Sequence, residues 1–247
     1  MDALSLYRAG HLRQAITALG DELKKSPLDT KRRTFLFELL CFAGEYDRAE
    51  KHLNFLADSS KEAAAGTLLY RSALHAERTR RDMFTAKSFP LDRATKPALP
   101  GSLNGTPFDA FADADPRIGA NLEVFIAGSY TWIPFTGIEQ VEVQKPTRLR
   151  DLLWTPAKVR TTPDFRLQDL GEVLLPVLAP LSYLSDDETV ALGQSTQWLN
   201  DAEYGQLPLG QKIFAVDSDD VSLLEIRDLT WPAVELSAPE EAPLAPA

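Results

Sequence analysis

The sequence AGHLRQA at residues 9–15 recurs as AGEYDRA at residues 43–49, and these two stretches decide how the first third of the chain is organised. Gly10 and Gly44 are 34 positions apart, and each is followed five positions later by an alanine. Glycine tolerates the left-handed backbone that ends a helix, and alanine lets the next helix pack closely. Each stretch therefore predicts the end of one helix, a tight turn and the start of another helix.

A period of 34 residues is that of tetratricopeptide repeats, in which each unit is a pair of helices. We therefore predict a tetratricopeptide-like helical array over residues 1–87. Its middle helix begins near Thr30 and carries an apolar stripe that includes Phe35, Leu39 and Phe42. Arrays of this kind present surfaces that bind peptides or helices, which predicts a protein-binding function.

A third helical segment is predicted over residues 61–84, because two repeats alone bury too little apolar surface. We expect its inward face to carry Leu68, Leu69, Ala73 and Ala76. Three arginines lie near its C-terminal end, where cations suit the helix dipole: Arg78, Arg80 and Arg81. We interpret them as solvated charges, with a basic docking patch as the alternative.

The sequence pattern changes after residue 87. Residues 88–107 contain four prolines and two glycines and predict a linker. Residues 108–231 predict a strand-rich domain with a mixed or antiparallel sheet, so the predicted fold class is α+β. The strands are expected at 121–127 and 130–135 as a hairpin, then at 138–143, 172–178, 212–216 and 221–229. Residues 232–247 are rich in Pro, Ala and Glu and predict a disordered tail.

The charge of the chain is unevenly distributed. Its formal net charge is −10, yet residues 1–88 hold 15 Lys and Arg against 12 Asp and Glu, whereas the remainder holds 11 against 24. Such an acidic part should repel phosphate backbones and anionic lipid, so we expect neither nucleic acid nor membrane as a partner. The single cysteine and the absence of a signal-peptide pattern favour a cytoplasmic location.

The sequence contains no recognisable motif for catalysis, cofactor binding or metal binding. The three histidines form no i, i+4 pair, and Cys41 lies on the apolar middle helix, where we expect a buried, inert thiol. Asp113-Ala114-Asp115 fails as a calcium loop because Ile118 stands where glycine is required. We interpret the two aspartates as turn or capping residues. A hydrolase that uses Asp113 and Asp115 is the less favoured alternative to a non-enzymatic protein.

Several short sequence motifs in the C-terminal half are typical of one protein family. They are DADPRIG at 113–119, GSYTWIPF at 128–135, LRDLLWTPA at 149–157 and GQSTQW at 193–198. Together with LFELLCFAG at 36–44, they make the chain similar to the ImpE/TagJ family of type VI secretion accessory proteins, from about Leu6 to Trp231. The stretch from Phe84 to Gly105 is shorter than is usual in the family. The family's usual Asp, Arg, Asp and Arg are replaced by Pro116, Gln194, Gln197 and Lys212.

The resemblance implies a non-catalytic adaptor that binds the small subunit of the contractile sheath and thereby influences sheath handling by the ClpV-type unfoldase. A generic tetratricopeptide scaffold or chaperone for another cytoplasmic client is the alternative. Because Arg and Trp are enriched at binding hot spots, the candidate partner-binding residues are Tyr130, Trp132, Arg150, Asp151 and Trp154. Their aromatic side chains would equally suit a strand-rich core.

Overall fold

A layer of helices forms the N-terminal part of the fold. The structure is a computed structural model that describes residues 1–58, 61–91, 100–165 and 170–232. The helices of this layer are α1 (Ala3–Arg8), α2 (Leu12–Lys25), α3 (Thr30–Phe42), α4 (Tyr46–Ala57) and α5 (Lys61–Ala86). Each helix packs against the next one in the chain. Across the described helices, no segment has the length and apolar character that a bilayer crossing requires.

Gly10 and Gly44 end α1 and α3 with the same backbone geometry. Their φ angles are +82° and +69°, in the region where glycine has no steric cost. The residue after each glycine donates its amide to a carbonyl five positions earlier, His11 to Leu6 and Glu45 to Leu40, both at 2.9 Å. These are glycine-based helix caps, and the two helix ends predicted from the repeated stretch are confirmed.

Antiparallel sheets form the C-terminal part. The largest has eight strands in the order β2-β1-β13-β6-β7-β8-β4-β5, a second has the order β10-β9, and a third has the order β12-β11-β3. The strands are β1 (Gly101–Leu103), β2 (Thr106–Phe108), β3 (Phe111–Asp113), β4 (Asn121–Ile126), β5 (Ser129–Pro134), β6 (Ile138–Val143), β7 (Trp154–Thr161), β8 (Glu172–Pro176), β9 (Thr196–Asp201), β10 (Gly205–Gly210), β11 (Ile213–Val216), β12 (Asp219–Ser222) and β13 (Asp228–Thr230). A short helix, α6 (Glu188–Ala191), precedes β9. Helices followed by a large antiparallel sheet confirm the α+β class.

The predicted hairpin is present as β4 and β5. Its two turn residues are Ala127 and Gly128, with φ of +48° and +87°, as expected for the type I′ turn that joins twisted antiparallel strands. The predicted strand at 138–143 coincides with β6, and those at 172–178 and 212–216 correspond to β8 and β11 with slightly different ends.

The single strand predicted at 221–229 is wrong. Ser222 accepts a hydrogen bond from the Leu224 amide at 3.1 Å and caps a 3₁₀ turn at Leu223–Glu225. The chain therefore leaves β12 and enters a different sheet as β13. A capping serine inside an apolar run is a local signal that outweighed the strand propensity of its neighbours.

The second half of the predicted linker at 88–107 contains β1 and the start of β2. Residues 92–99 of that linker, and residues 233–247 of the predicted tail, lie outside the described residues. The division of the chain into domains at 87, 107 and 231 stays a prediction.

The eight-stranded sheet is the middle of three layers. On one face, Phe125 and Trp132 join the core of the helices. On the other face, Val124 and Ile133 join a second core, to which the three-stranded sheet contributes Phe214. Neighbouring residues of one strand thus serve different cores, because side chains alternate across a sheet.

The C-terminal half of helix α3 is enclosed by the rest of the protein. All residues from Leu36 to Phe42 are buried, and Cys41 is a buried free thiol as predicted. Leu153 and Trp154 belong to the same core as Phe42, and the Tyr183 ring lies 6.2 Å from the Tyr46 ring. The inner surface of the helical layer is therefore occupied by the chain's own C-terminal part.

Two expectations for α5 are wrong. Leu68 and Leu69, expected to face inward, are 65% and 48% exposed, whereas Ala73 and Ala76 are buried as expected. Arg80, expected to be solvated, is buried. The face of α5 that carries the small residues Ala73 and Ala76 lies towards the sheet, because β5 packs directly on this helix.

Candidate functional site

A carboxylate buried between the helices and the sheet organises the first candidate site. Glu123 of β4 is 0% exposed. Its Oε1 accepts a hydrogen bond from Arg80 Nε at 2.8 Å, and its Oε2 accepts from Arg80 Nη2 at 2.9 Å and from Lys212 Nζ at 2.6 Å. The Tyr130 hydroxyl also donates to Oε1. A buried carboxylate with two cationic partners has its charge fully compensated.

Lys212 connects this carboxylate to a second acidic group. Its Nζ also forms an ion pair with Asp113 Oδ2. Asp113 Oδ1 accepts from the Asp115 amide at 2.9 Å, and Asp115 accepts from the Arg117 amide at 3.0 Å and from Arg117 Nε at 2.9 Å. Both aspartates thus act on a local turn, as predicted. We call Arg80, Glu123, Lys212, Asp113, Asp115 and Arg117 the ionic cluster.

The two lysine-bound carboxylates differ in acidity. Burial raises the pKa of Asp113 to about 7, although Lys212 opposes the shift. Burial also disfavours the charge on Glu123, but Arg80 and Lys212 together hold its pKa well below the ordinary value. The difference follows from the number of cations at each group. Glu123 is therefore the stronger acid of the two, and Asp113 is the weaker.

The cavity beside the ionic cluster is small. Its volume of about 20 Å³, lined by Arg80, Trp154, Ser182 and Tyr183 among others, is enough for about one water molecule. Every carboxylate of the cluster faces a cation within it. Among the described residues, no three His, Cys, Asp or Glu side chains are grouped as a metal site requires. The arrangement joins α5 to β4 and gives no support to a hydrolase using Asp113 and Asp115.

Four of the five candidate partner-binding residues are buried. Tyr130, Trp132 and Trp154 belong to the core of the helices. Trp132 Nε1 donates to the Tyr130 hydroxyl, and Trp154 Nε1 donates to Glu77 Oε2 at 3.0 Å. These contacts bring Tyr130 and Trp132 to the ionic cluster, in the core role that the sequence also allowed.

The two polar candidates lie in the 3₁₀ turn at Leu149–Leu152. Asp151 is buried and accepts hydrogen bonds from the amides of Thr147 and Arg148 at 2.8 and 2.9 Å. Arg150 has its guanidinium 5.1 Å from the centre of the Tyr70 ring, and its side chain is 24% exposed. Arg150 is therefore the member of the set with the most direct access to a partner.

An open groove between the helices and this 3₁₀ turn is the second candidate site. It has a volume of about 450 Å³, and its helical wall includes Leu4, Tyr7 and Phe35, while the opposite wall includes Leu149 and Leu152. The rings of Tyr7 and Phe35 meet edge to face at 5.8 Å. We call it the α1–α3 groove.

The charged side chains of the α1–α3 groove are Arg8, Arg148 and Glu38. Arg8 and Arg148 are exposed, whereas Glu38 is buried beneath the groove. Burial raises the pKa of Glu38 to about 7, with Arg150 opposing the shift and Asp151 adding to it. The groove is thus apolar along its walls and basic at its rim.

Sequence patterns alone did not identify most residues of the two candidate sites as functional. Amphipathic periodicity assigns charged side chains to solvent, and it therefore does not identify Arg80 and Glu38, which are both buried. A usable signal was Glu123, a single charge inside the apolar run NLEVFI at 121–126. A charge in a strand buried on both faces requires a partner, and the sequence alone does not say which cation supplies it.

The positions that depart from the resemblance pattern all lie in the C-terminal part of the fold, and one of them contacts the helical layer. Lys212 keeps a positive charge at the centre of the ionic cluster. Gln194 Nε2 donates to the Tyr7 carbonyl at 3.4 Å, and Ser185 donates to Gln197 Oε1 at 3.2 Å. The two glutamines therefore form neutral contacts at the sites where charged side chains are usual.

Comparison with known proteins places the chain among similar sequences and structures. A family model described as "ImpE protein" matches residues 105–230. The type VI secretion system accessory component TagJ of Pseudomonas aeruginosa PAO1 is 30% identical over 266 residues, which cover 94% of this chain and 91% of that protein. The crystal structure of protein VPA1032 from Vibrio parahaemolyticus has a TM-score of 0.80 with 21% identity, and covers 95% of this chain and 99% of its own. That structure supports the fold alone.

Proposed function

The chain belongs to the ImpE family, and from that premise we propose that it is a non-catalytic accessory adaptor of a type VI secretion system which binds the small subunit of the contractile sheath. Through this contact it would influence how a ClpV-type unfoldase handles the sheath. The observation that carries the proposal is the 30% identity to the accessory component TagJ over 94% of the chain. A match of this extent includes both the helices and the sheets.

The shape of the molecule supports a binding role. The helices, which we interpret as tetratricopeptide-like, and the sheet are joined by the ionic cluster into one framework. Rigid frameworks hold a binding surface in place and reduce the ordering cost of association. The carboxylates of the ionic cluster are each paired with a cation of the cluster, which supports a structural role for the cluster beside the proposed recognition of another polypeptide. We propose a cytoplasmic location, where unassembled sheath subunits would be met.

The five candidate residues would contribute in two ways. Tyr130, Trp132, Asp151 and Trp154 would act through the fold, because their side chains are buried. Arg150 would contact the partner directly or orient its neighbours in the 3₁₀ turn. Substitution of the buried four would therefore reduce binding together with stability, whereas Arg150→Ala would reduce binding with little change in stability.

Co-purification tests the proposed function. This chain and the sheath small subunit of the same organism are co-expressed, one carrying an affinity tag, and the complex is followed by size-exclusion chromatography. We expect co-elution in a fixed ratio, and a second cytoplasmic protein of similar size and charge serves as the control. If both partners are folded and elute separately, the proposed function is wrong. Binding to unrelated clients with the same affinity would instead favour a generic scaffold.

A further inference from the structure

We propose that two copies of this chain associate through strand β9, which pairs antiparallel with β9 of the second copy, so that the two β9–β10 hairpins form one four-stranded sheet. The pairing places Trp198 opposite the partner's Trp198 at a twofold axis. This inference is independent of the proposed function, because it concerns a contact of the chain with itself.

Strand β9 has an unpaired edge. Its strand partner is β10, and the two form a sheet that is separate from the other two sheets. Beyond the β9–β10 ladder, no backbone amide or carbonyl of residues 196–201 forms a hydrogen bond with a described residue. The residues from Thr196 to Asn200 are all exposed. A row of unpaired, exposed backbone groups is a template on which another strand can pair.

A proline in β10 fixes which groups of β9 point to the free edge. Pro208 lies directly opposite Trp198 and has no amide proton, so this pair cannot exchange two ladder hydrogen bonds. Trp198 is therefore at a non-hydrogen-bonded position relative to β10, and its own N–H and C=O point outward. Because the hydrogen-bonding direction alternates along a strand, the same holds for Thr196 and Asn200.

Strand β9 lacks the features that usually protect an edge. It contains no lysine and no proline, and its register with β10 continues over all six residues without a bulge. The edges of the eight-stranded sheet differ in this respect. Strand β2 is three residues long and contains Pro107, and β5 packs against α5. The difference favours β9 as an interface.

The sequence of β9 is complementary to itself in the antiparallel direction, which selects a second copy as the occupant. When the outward residues pair across a twofold axis, Trp198 faces the partner's Trp198 and Thr196 faces the partner's Asn200. Asp201 is the one charged residue of β9, and it faces the partner's Ser195, so no two carboxylates lie directly opposite each other. Cross-strand aromatic pairs stabilise a sheet, whereas like charges directly opposite destabilise it.

Apolar burial adds to the backbone hydrogen bonds. Trp198 and Leu199 are 40% and 41% exposed in the single chain, and pairing removes part of both side chains from water. The contact is confined to one strand of each copy, which is smaller than the interfaces of permanent dimers. We therefore expect a reversible dimer. Because each copy carries a net charge of −10, the dimer should become tighter as salt screens the repulsion.

Sedimentation velocity of the full chain over a range of protein concentrations measures the dimer dissociation constant. Trp198→Lys and Trp198→Glu each place two like charges opposite each other at the axis, and Asn200→Pro removes an outward amide without removing a bond to β10. Leu68→Lys and Leu68→Glu are the matched controls, because Leu68 is 65% exposed on α5. Circular dichroism and thermal melts confirm that each variant folds as the parent does.

We expect each of the three β9 variants to raise the dissociation constant by about tenfold or more, and each control to change it by less than about twofold. An equimolar mixture of Trp198→Lys and Trp198→Glu should dimerise within about threefold of the parent, because opposite charges then face each other at the axis. Recovery in the mixture is specific to a pairing in which position 198 faces itself.

Four results would overturn the inference. The first is a parent that stays monomeric at every concentration. The second is self-association that the Trp198 and Asn200 variants leave within about twofold of the parent, which would place the contact elsewhere. The third is loss of dimer in both Trp198 variants without recovery in their mixture, which would exclude the proposed register. The fourth is open-ended growth beyond a dimer, which a closed twofold contact does not allow.

Discussion

Arg80 and Glu123 are 43 positions apart in the sequence and form a two-point ion pair in the interior, with Nε–Oε1 and Nη2–Oε2 distances of 2.8 and 2.9 Å. Arg80 belongs to helix α5 and Glu123 to strand β4 of the eight-stranded sheet, so the pair connects the two parts of the fold. A planar guanidinium matches a carboxylate in this geometry, which an ammonium group does not.

Arg80→Ala should lower the free energy of unfolding by about 3–5 kcal/mol, because it leaves Glu123 buried with Lys212 as its remaining cation. Arg71→Ala is the control, since Arg71 is exposed on the same helix and should change stability by less than about 0.5 kcal/mol. Urea denaturation followed by fluorescence gives both values. A loss below about 1 kcal/mol for Arg80→Ala would mean that the buried pair contributes little.

Gly44→Ala should destabilise the protein more than Gly105→Ala. Both glycines have positive φ, +69° and +84°, so each substitution costs about 1–2 kcal/mol of backbone strain. A Cβ at Gly44 would also collide with the Tyr183 ring, whereas nothing lies within 4 Å of the one at Gly105. We expect about 1–3 kcal/mol of additional loss at Gly44. Equal losses in thermal and urea unfolding would show that the ring moves aside freely.

Glu38→Gln should change how stability depends on pH. The folded state raises the pKa of Glu38 to about 7 through burial, so it binds a proton more tightly than the unfolded chain does. The associated stability is complete below the unfolded pKa, about 4.3, and is lost as pH rises through about 7. The parent should therefore lose roughly 4 kcal/mol over this window through this group.

In Glu38→Gln that loss should be absent, so the variant should gain on the parent as pH rises and the difference should level off above about pH 8. Unfolding free energies at pH 5 and pH 8 measure it. Glu142→Gln, at an exposed position, should give a difference that does not change between the two pH values. A constant difference for Glu38→Gln as well would contradict the buried carboxyl.

A fragment of residues 1–87 should not unfold cooperatively. Leu153 and Trp154 no longer cover α3 in it, and Arg80 loses its carboxylate partner. We expect binding of a hydrophobic dye and a broad urea transition, as in states without fixed packing. The full chain is the reference. A sharp transition and no dye binding would establish the helical layer as an independent domain.

Local features were predictable from sequence, and contacts between distant segments were not. Gly10 and Gly44 signalled their helix ends because a left-handed cap is a property of a few neighbouring residues. Gly128 and Ser129 between two apolar runs were enough to predict the hairpin, although its turn lies one residue earlier, at Ala127 and Gly128. By contrast, the placement of β13 beside β6 depends on pairing between segments far apart, which no local period encodes.

The candidate sites could not be predicted from the sequence for a related reason. Arg80 and Glu38 lie on helices, where charged residues are expected to face water. Their burial is caused by the sheet and by the 3₁₀ turn, which come later in the chain. Strands β7 and β10 were not among the predicted strands, and they contain Pro156 and Pro208, a residue type that cannot donate to a strand ladder.

The enclosure of α3 has a consequence during translation. Phe42 precedes Leu153 by 111 positions, and at synthesis rates of about 5–20 residues per second the ribosome needs roughly 5 to 20 seconds to deliver the covering segment. Throughout that interval the nascent helices would present a bare apolar surface. Newly made chains should therefore depend on ribosome-associated chaperones until the second half has emerged.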